Sequence, residues 1–164
     1  MLPSFLIPNS VTEVGDYAFY DSRSLRRVTI GSGVTSLGEG VFSQCRNLWN
    51  VTSVSTTPPE MLNEGCFPEN AYNYGRLNVP ASAIETYQTT DWWSRFPRFF
   101  PLLEYDVNGD GEVNIADVTS LIDGLLNPYD GSMIDACADV DGNGAVGISD
   151  VTALIDYQIG RAHV

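Results

Sequence analysis

Residues 2–57 repeat themselves at an offset of 23. Ile7-Pro-Asn-Ser-Val11-Thr12 falls on Ile30-Gly-Ser-Gly-Val34-Thr35. Further along, Gly15 meets Gly38, Phe19 meets Phe42, Ser22 meets Cys45, Leu25 meets Leu48 and Val28 meets Val51; upstream, Leu2, Phe5 and Ile7 match Leu25, Val28 and Ile30. This periodicity confines the segment to stacked coils, because one short unit cannot bury its own apolar faces and must lean on neighbours. Each unit reads L-x-x-V-x-I, a turn, V-T-x-[VL]-G and then [AV]-F. The opening predicts a short strand with its apolar side chains inward, and Pro8 and the Gly/Ser positions turn the chain. Phe19 and Phe42 are expected to fill one interior column, with Cys45 a small apolar neighbour.

Beyond the repeat, Pro58-Pro59 reads as its end, Leu77-Asn-Val79-Pro80 as a last strand, and residues 81–88 as a short helix on the spacing of Ile84 and Tyr87. Seven aromatics follow closely: Tyr87, Trp92, Trp93, Phe96, Phe99, Phe100 and Tyr105. They are expected to plug the open end of the stack, in preference to forming a sugar-binding platform.

The charge divides the chain near residue 104. Upstream, nine acids face seven arginines; downstream, twelve acids face Arg161 alone, leaving that segment at −11 of the chain's −13. Such a segment repels itself unless cations sit among its carboxylates. It contains a second repeat, at an offset of 33: Asp106-Val-Asn-Gly-Asp-Gly-Glu-Val-Asn-Ile-Ala-Asp117 matches Asp139-Val-Asp-Gly-Asn-Gly-Ala-Val-Gly-Ile-Ser-Asp150. Each copy is a twelve-residue D-x-[DN]-x-[DN]-G loop closed by an acid.

Calcium accounts for each position. The ion takes six to eight hard oxygens. Positions 1, 3 and 5 supply Asp106, Asn108 and Asp110 in the first loop and Asp139, Asp141 and Asn143 in the second. Gly111 and Gly144 allow the sharp turn. Position 7 offers a backbone carbonyl, from Glu112 and Ala145, and Asp117 and Asp150 close the two shells. Val113 and Val146 are expected to pair the loops through short strands. Each loop brings three carboxylates against one divalent ion, so binding is expected to be coupled to folding, with two Ca²⁺ as the cofactors. An amphipathic helix follows each loop: Val118, Leu121, Ile122, Leu125 and Leu126, then Val151, Leu154, Ile155 and Ile159, ended by Asn127-Pro128 and by Gly160.

Several functions are excluded. There is no lysine, and all eight basic residues are Arg, so nucleic acid is not an expected partner. Apolar runs are too short for membrane insertion. Cys45, Cys66 and Cys137 form no zinc pattern, and the one histidine, His163, leaves no Ser-His-Asp or Cys-His arrangement. No catalytic residues are assigned and no enzyme activity is expected. A calcium sensor would expose a Met-rich groove, and the acidic half has only Met133.

The first repeat resembles the BspA-like leucine-rich repeat, with the pattern I-P-x-S-V-T-x-I-G-x-x-A-F-x-x-C-x-x-L-x-x-V over about residues 2–57, departing at Ser22, Gly31 and Gly33. The resemblance implies a secreted or surface protein of an anaerobic bacterium. No leader opens the chain, so it is expected to be the C-terminal part of a longer protein, with a secretion signal and further coils upstream. Residues 105–160 resemble the type I dockerin module, which implies calcium-dependent docking to a cohesin domain on another protein. Carried onto this chain, the partner is read by Ile115, Ala116, Ile122 and Asp123 and, in the second copy, by Ile148, Ser149, Ile155 and Asp156. The near-identical copies imply binding in either of two orientations.

The expected fold class is therefore α+β: a short right-handed leucine-rich-repeat solenoid with a C-terminal cap over residues 1–104, then a small helical dockerin of two loop–helix, EF-hand-like motifs over 105–164. The expected function is a non-catalytic adhesion or scaffolding fragment whose solenoid binds a protein or glycan. The alternative is the recruitment tail of a secreted polysaccharide-degrading enzyme.

Overall fold

The computed structural model describes residues 4–103, 105–108, 112–127, 135–141, 143 and 145–162. The chain forms two compact units, Met1–Pro101 and Leu102–Val164.

In the first unit the chain alternates between two parallel sheets. The first coil supplies β1 (Ser4–Ile7) and β2 (Glu13–Val14), the second β3 (Arg27–Ile30) and β4 (Ser36–Leu37), and the third β5 (Asn50–Ser53) and β6 (Glu60–Met61). Then come α1 (Glu69–Tyr74), β7 (Arg76–Val79), α2 (Ile84–Thr89) and β8 (Phe99–Pro101). One sheet has the order β1-β3-β5-β7-β8 and the other β2-β4-β6. Register follows the repeat: Phe5 pairs Val28, and Val28 pairs Val51. Side chains alternate across each strand, so Val28 and Ile30 are buried while Arg27 faces outward.

The phenylalanine column runs further than the two coils that predicted it. Phe19 lies 5.3 Å from Phe42, nearly parallel to it, and Phe42 lies 5.1 Å from Phe67 in the same manner. Phe5 starts the column, 4.9 Å from Phe19. Cys45 is wholly buried, as expected, and its thiol donates to the Phe19 carbonyl at 3.0 Å.

Pro58-Pro59 does not end the repeat. The two prolines sit just before β6, where their missing N–H groups cost no ladder bond, and Glu60 N–H then donates to Thr35 O at 2.9 Å. The third coil is longer, since Ser36 pairs Glu60 at an offset of 24 and Asn50 pairs Arg76 at 26. The extra residues are taken up in the connecting turns and in α1, away from the paired positions. That drift is why a search at a constant offset loses the repeat after residue 57.

Leu77–Val79 is likewise not the last strand. β8 follows it in register, Leu77 against Phe99 and Asn78 against Phe100. The aromatics therefore split by role. Trp93 and Phe96 are buried around Phe67 and Tyr87 is buried against Trp93, whose Nε1 donates to Pro59 O at 2.8 Å. The Tyr87 hydroxyl lies 2.8 Å from Ser53 Oγ, and burial pushes it up to about 12. Trp92 is half-buried against the same core, Phe99 and Phe100 are strand residues, and Tyr105 belongs to the second unit. With these rings packed or paired in the sheet, the sugar-platform reading of this cluster lacks its exposed surface.

Among the described residues the second unit has three helices, α3 (Ile115–Leu126), α4 (Asp135–Ala138) and α5 (Ile148–Ala162). Val107, Val118, Leu121, Ala138, Val151 and Leu154 form its core. Tyr105 and Tyr157 meet edge to face at 4.6 Å. Three expectations are corrected. The helical turn α4, which no periodicity announced, precedes the second loop. α5 continues past Gly160, because a solvent-facing glycine costs a helix only about 1 kcal/mol and does not stop it. Among the described residues no strand forms at Val113 or Val146; both are half-buried, and Val146 packs on the core instead.

Candidate functional site

The two acidic loops lead into α3 and α5, and each helix is tied to its loop by one aspartate. Asp117 is the third residue of α3. Its Oδ1 accepts the Asn108 N–H at 3.2 Å and its Oδ2 accepts the Asn114 N–H at 2.7 Å. Asp150, the third residue of α5, does the same 33 residues later, from Asp141 N–H at 3.1 Å and Gly147 N–H at 2.7 Å. Helix starts leave backbone N–H groups without intrahelical partners, and a carboxylate near the first turn is favoured by the helix dipole. In α3, Asn114 completes a capping box, its Oδ1 accepting Ala116 N–H at 2.8 Å. Gly147 has no side chain to do this in α5.

Asp117 and Asp150 are fully buried, and Asp106 is nearly so. Burying a carboxylate is costly unless it is paired and hydrogen-bonded. In the second loop Asp139, Asp141 and Asp150 each bring a carboxylate oxygen within 4.8 Å of the others. Asn143 N–H reaches Asp139 Oδ1 at 3.1 Å and Asp141 Oδ1 at 3.0 Å, and Ala145 N–H reaches Asn143 Oδ1 at 2.9 Å. In the first loop Asp106, Asn108 and Asp117 flank the turn, and Glu112 is exposed; Asp110, with Gly111 and Gly144, lies outside the described residues. Three converging carboxylates without sulfur or imidazole are a donor set that fits a hard divalent cation and not zinc.

Ser149 has a place that its sequence position did not announce. Its hydroxyl beside Asp141 holds that carboxyl below the usual range, helped by the Asn143 amides and opposed by desolvation. It also accepts from Asn143 Nδ2 at 3.4 Å. Ser149 is therefore engaged in the loop as well as lying on the exposed surface.

The other residues expected to read a partner stand on the helix surfaces. Ile115 is 71% exposed and Ile148 76%. Ile122, Asp123, Ile155 and Asp156 are exposed, and Ala116 is half-buried. The apolar stripes read as core divide here. Val118, Leu121, Val151 and Leu154 are buried and Leu125 packs against them, whereas Ile122, Leu126, Ile155 and Ile159 face outward. Residues i, i+7 and i+11 fall within about 20° of one line along a helix. Ile115, Ile122 and Leu126 therefore form one outward stripe, and Ile148, Ile155 and Ile159 form its copy. Leu126 and Ile159 were missed because the i, i+3, i+4 pattern assigns them to the core; their recurrence at the repeat offset beside Ile115 and Ile148 is the signal that separates them.

Two family models match the chain. One is a BspA type leucine rich repeat region, in six copies over residues 1–89; the other is a dockerin type I domain over residues 104–158. The first extends well past residue 57, in agreement with the third coil. No curated protein matches the chain. A dockerin implies a cohesin partner and makes calcium the fitting cation, and a leucine-rich repeat implies a binding role; neither module is itself catalytic. Both kinds of module suggest an extracellular or cell-surface protein. Among the described residues no helix is long and apolar enough to cross a membrane.

Proposed function

The chain belongs to the BspA-type leucine-rich repeat family, and on that premise we propose that it is a non-catalytic, two-module adaptor of an anaerobic bacterium's exterior. The repeat unit, a short right-handed solenoid with a cap, holds a protein or glycan. The acidic unit, two EF-hand-like loop–helix motifs, holds two calcium ions and docks on a cohesin domain. One ion is assigned to Asp106, Asn108, Asp110, the Glu112 carbonyl and Asp117, the other to Asp139, Asp141, Asn143, the Ala145 carbonyl and Asp150.

The observation that carries this reading is a coincidence of two repeats. The same pair of backbone amides is tied to the closing aspartate in both loops, and the same three apolar positions stand outward on both helices behind them. When bound, calcium supplies the positive charge that three clustered carboxylates lack. Asp117 and Asp150 fix the first turn of each helix to its loop, so Ile115, Ile122 and Leu126, and their copies Ile148, Ile155 and Ile159, are presented from a held backbone. Asp123 and Asp156 border the stripes, and two equal stripes let a partner take either helix.

The test is binding of the full chain to a panel of immobilised cohesin domains in millimolar calcium and in chelator. Binding that needs calcium, and that is lost when Ile115, Ile122, Ile148 and Ile155 are all changed to Asp, supports the reading. Binding that survives chelation, or a folded, calcium-loaded chain that no cohesin captures, overturns it.

A further inference from the structure

The repeat unit carries a groove that none of the above uses. It lies on the outer face of the β2–β4–β6 sheet and has a volume of about 420 Å³. Its shape follows from two columns of the repeat. One runs Gly15, Gly38, Leu62, at one position of three successive coils. Gly15 leaves a hollow, since nothing lies within 4 Å of where its Cβ would stand, whereas Gly38 lets the backbone of the coil before it, at Gly15 and Asp16, approach closely. A Cβ at Gly38 would clash with Asp16 Oδ1, so this glycine also lets Asp16 accept the Glu39 N–H at 2.8 Å. The column then ends in Leu62, which is 68% exposed and forms an apolar end wall.

The second column is the outward row Glu13, Ser36, Glu60, paired strand to strand. Two strand spacings put the two glutamates about 10 Å apart across the hollow, with a serine between them. Asp16 lines the same space, and no arginine does. Among the described residues neither glutamate has an ion-pair partner: the ion pairs of this unit are Arg23 with Asp21 and Arg95 with Glu64.

We propose that this groove docks a Lys- or Arg-bearing segment of a partner protein. The inference rests on the ligand-binding reading of the repeat unit and names the ligand's chemistry. Lys and Arg lay an aliphatic stem on apolar surface while the charged head stays in water. Leu62 receives the stem, and Glu13 and Glu60 receive the head from either side. A neutral sugar would leave both carboxylates without charge partners, and an acidic segment would be repelled.

The test uses the full chain in millimolar calcium, which keeps the acidic unit's carboxylates engaged, and fluorescein-labelled octa-arginine, octalysine and octaserine as probes. Three variants are compared: E13Q/E60Q, L62S, and the control E85Q/D91N, which removes the same charge from exposed positions outside the groove. The expected result is that both cationic peptides bind and octaserine does not. E13Q/E60Q then weakens binding about five- to tenfold, L62S weakens it less, and the control changes it by less than about twofold. Amide NMR shifts on peptide addition should centre on Gly15, Ser36 and Gly38. Equal losses in E13Q/E60Q and in the control would reduce the effect to the chain's overall field and overturn the proposal, as would shifts confined to the acidic unit or no binding by wild type. Capture of a neutral glycan by a wild-type chain that ignores both peptides would overturn the groove's assignment and leave the repeat unit's binding role standing. A chain that binds neither glycans nor proteins through residues 1–101 would end both.

Discussion

Asp150→Asn separates a helix cap from a metal ligand. Asp150 is fully buried, with one carboxylate oxygen on the Asp141 amide and the other on the Gly147 amide. The substitution keeps the size but leaves only one acceptor, so one buried N–H loses its partner. That costs about 1–3 kcal/mol at any calcium concentration. As a ligand, Asp150 has a second effect with a different signature. Each ion bound only by the folded state adds about 1.4 kcal/mol of stability per tenfold rise in free calcium once its site is saturated. Two ions give about 2.7 kcal/mol per decade, and the variant, with one site crippled, should give about half. For a unit of this size the wild-type midpoint should climb by about 11–22 °C per decade and the variant's by about 6–11 °C. Far-UV circular dichroism at 222 nm follows chiefly the acidic unit, whose α3 and α5 are longer than the repeat unit's α1 and α2. Tryptophan fluorescence follows the other unit independently, because Trp49, Trp92 and Trp93 all lie within it. Parallel calcium dependences offset by a constant amount would mean that Asp150 only caps the helix, and the ligand assignment would fail. A wild-type slope of one ion would remove the second site.

Phe42→Ala empties the middle of the phenylalanine column and should destabilise the repeat unit by about 3–5 kcal/mol, read from tryptophan fluorescence in urea, with the calcium dependence of the 222 nm signal unchanged. A loss below about 1 kcal/mol would mean that the column is not packed as described. Asp141, held below its ordinary carboxylate value chiefly by Ser149, contributes stability that is complete above its unfolded pKa of 3.8 and is lost as pH falls through the lower folded value. In calcium-free buffer Ser149→Ala should therefore raise the midpoint of the Asp141 carboxyl titration, followed by NMR; an unmoved midpoint refutes the contact. If the two helix stripes are equivalent, Ile122→Asp or Ile155→Asp alone should cost less than about threefold in cohesin affinity, while the double variant should cost more than about a hundredfold by surface plasmon resonance.

Much of the architecture was readable because repeats report themselves. The offset of 23 became the strand register, Phe19 and Phe42 became one column, and the offset of 33 became two loops of matching hydrogen bonds. Reading failed where a residue's environment came from distant segments. Pro58-Pro59 looked like a terminator by local chemistry, yet β6 pairs with β4 regardless, because the insertion is absorbed between paired positions. Phe99 and Phe100 looked like plug residues, and only a free sheet edge beyond β7 makes them a strand. Leu126 and Ile159 fit the apolar stripe of their helices, but a helix of this small unit has few neighbours and buries only the narrow face that meets them.

From its own order of residues, then, the chain determined which positions are equivalent in the first two coils and in the two loops, while the place of Glu60 in the third coil came from its pairing with Ser36. That information is local and periodic, and a linear string carries it as long as the spacing stays constant. What tertiary structure alone decided was which equivalent positions face protein and which face water. It set Asp150 and Asp117 inside, turned Ile115 and Ile148 out, and opened a hollow at Gly15 between Glu13 and Glu60. Burial is a property of the neighbours a residue acquires, and those neighbours are chosen only when the whole unit has closed around them.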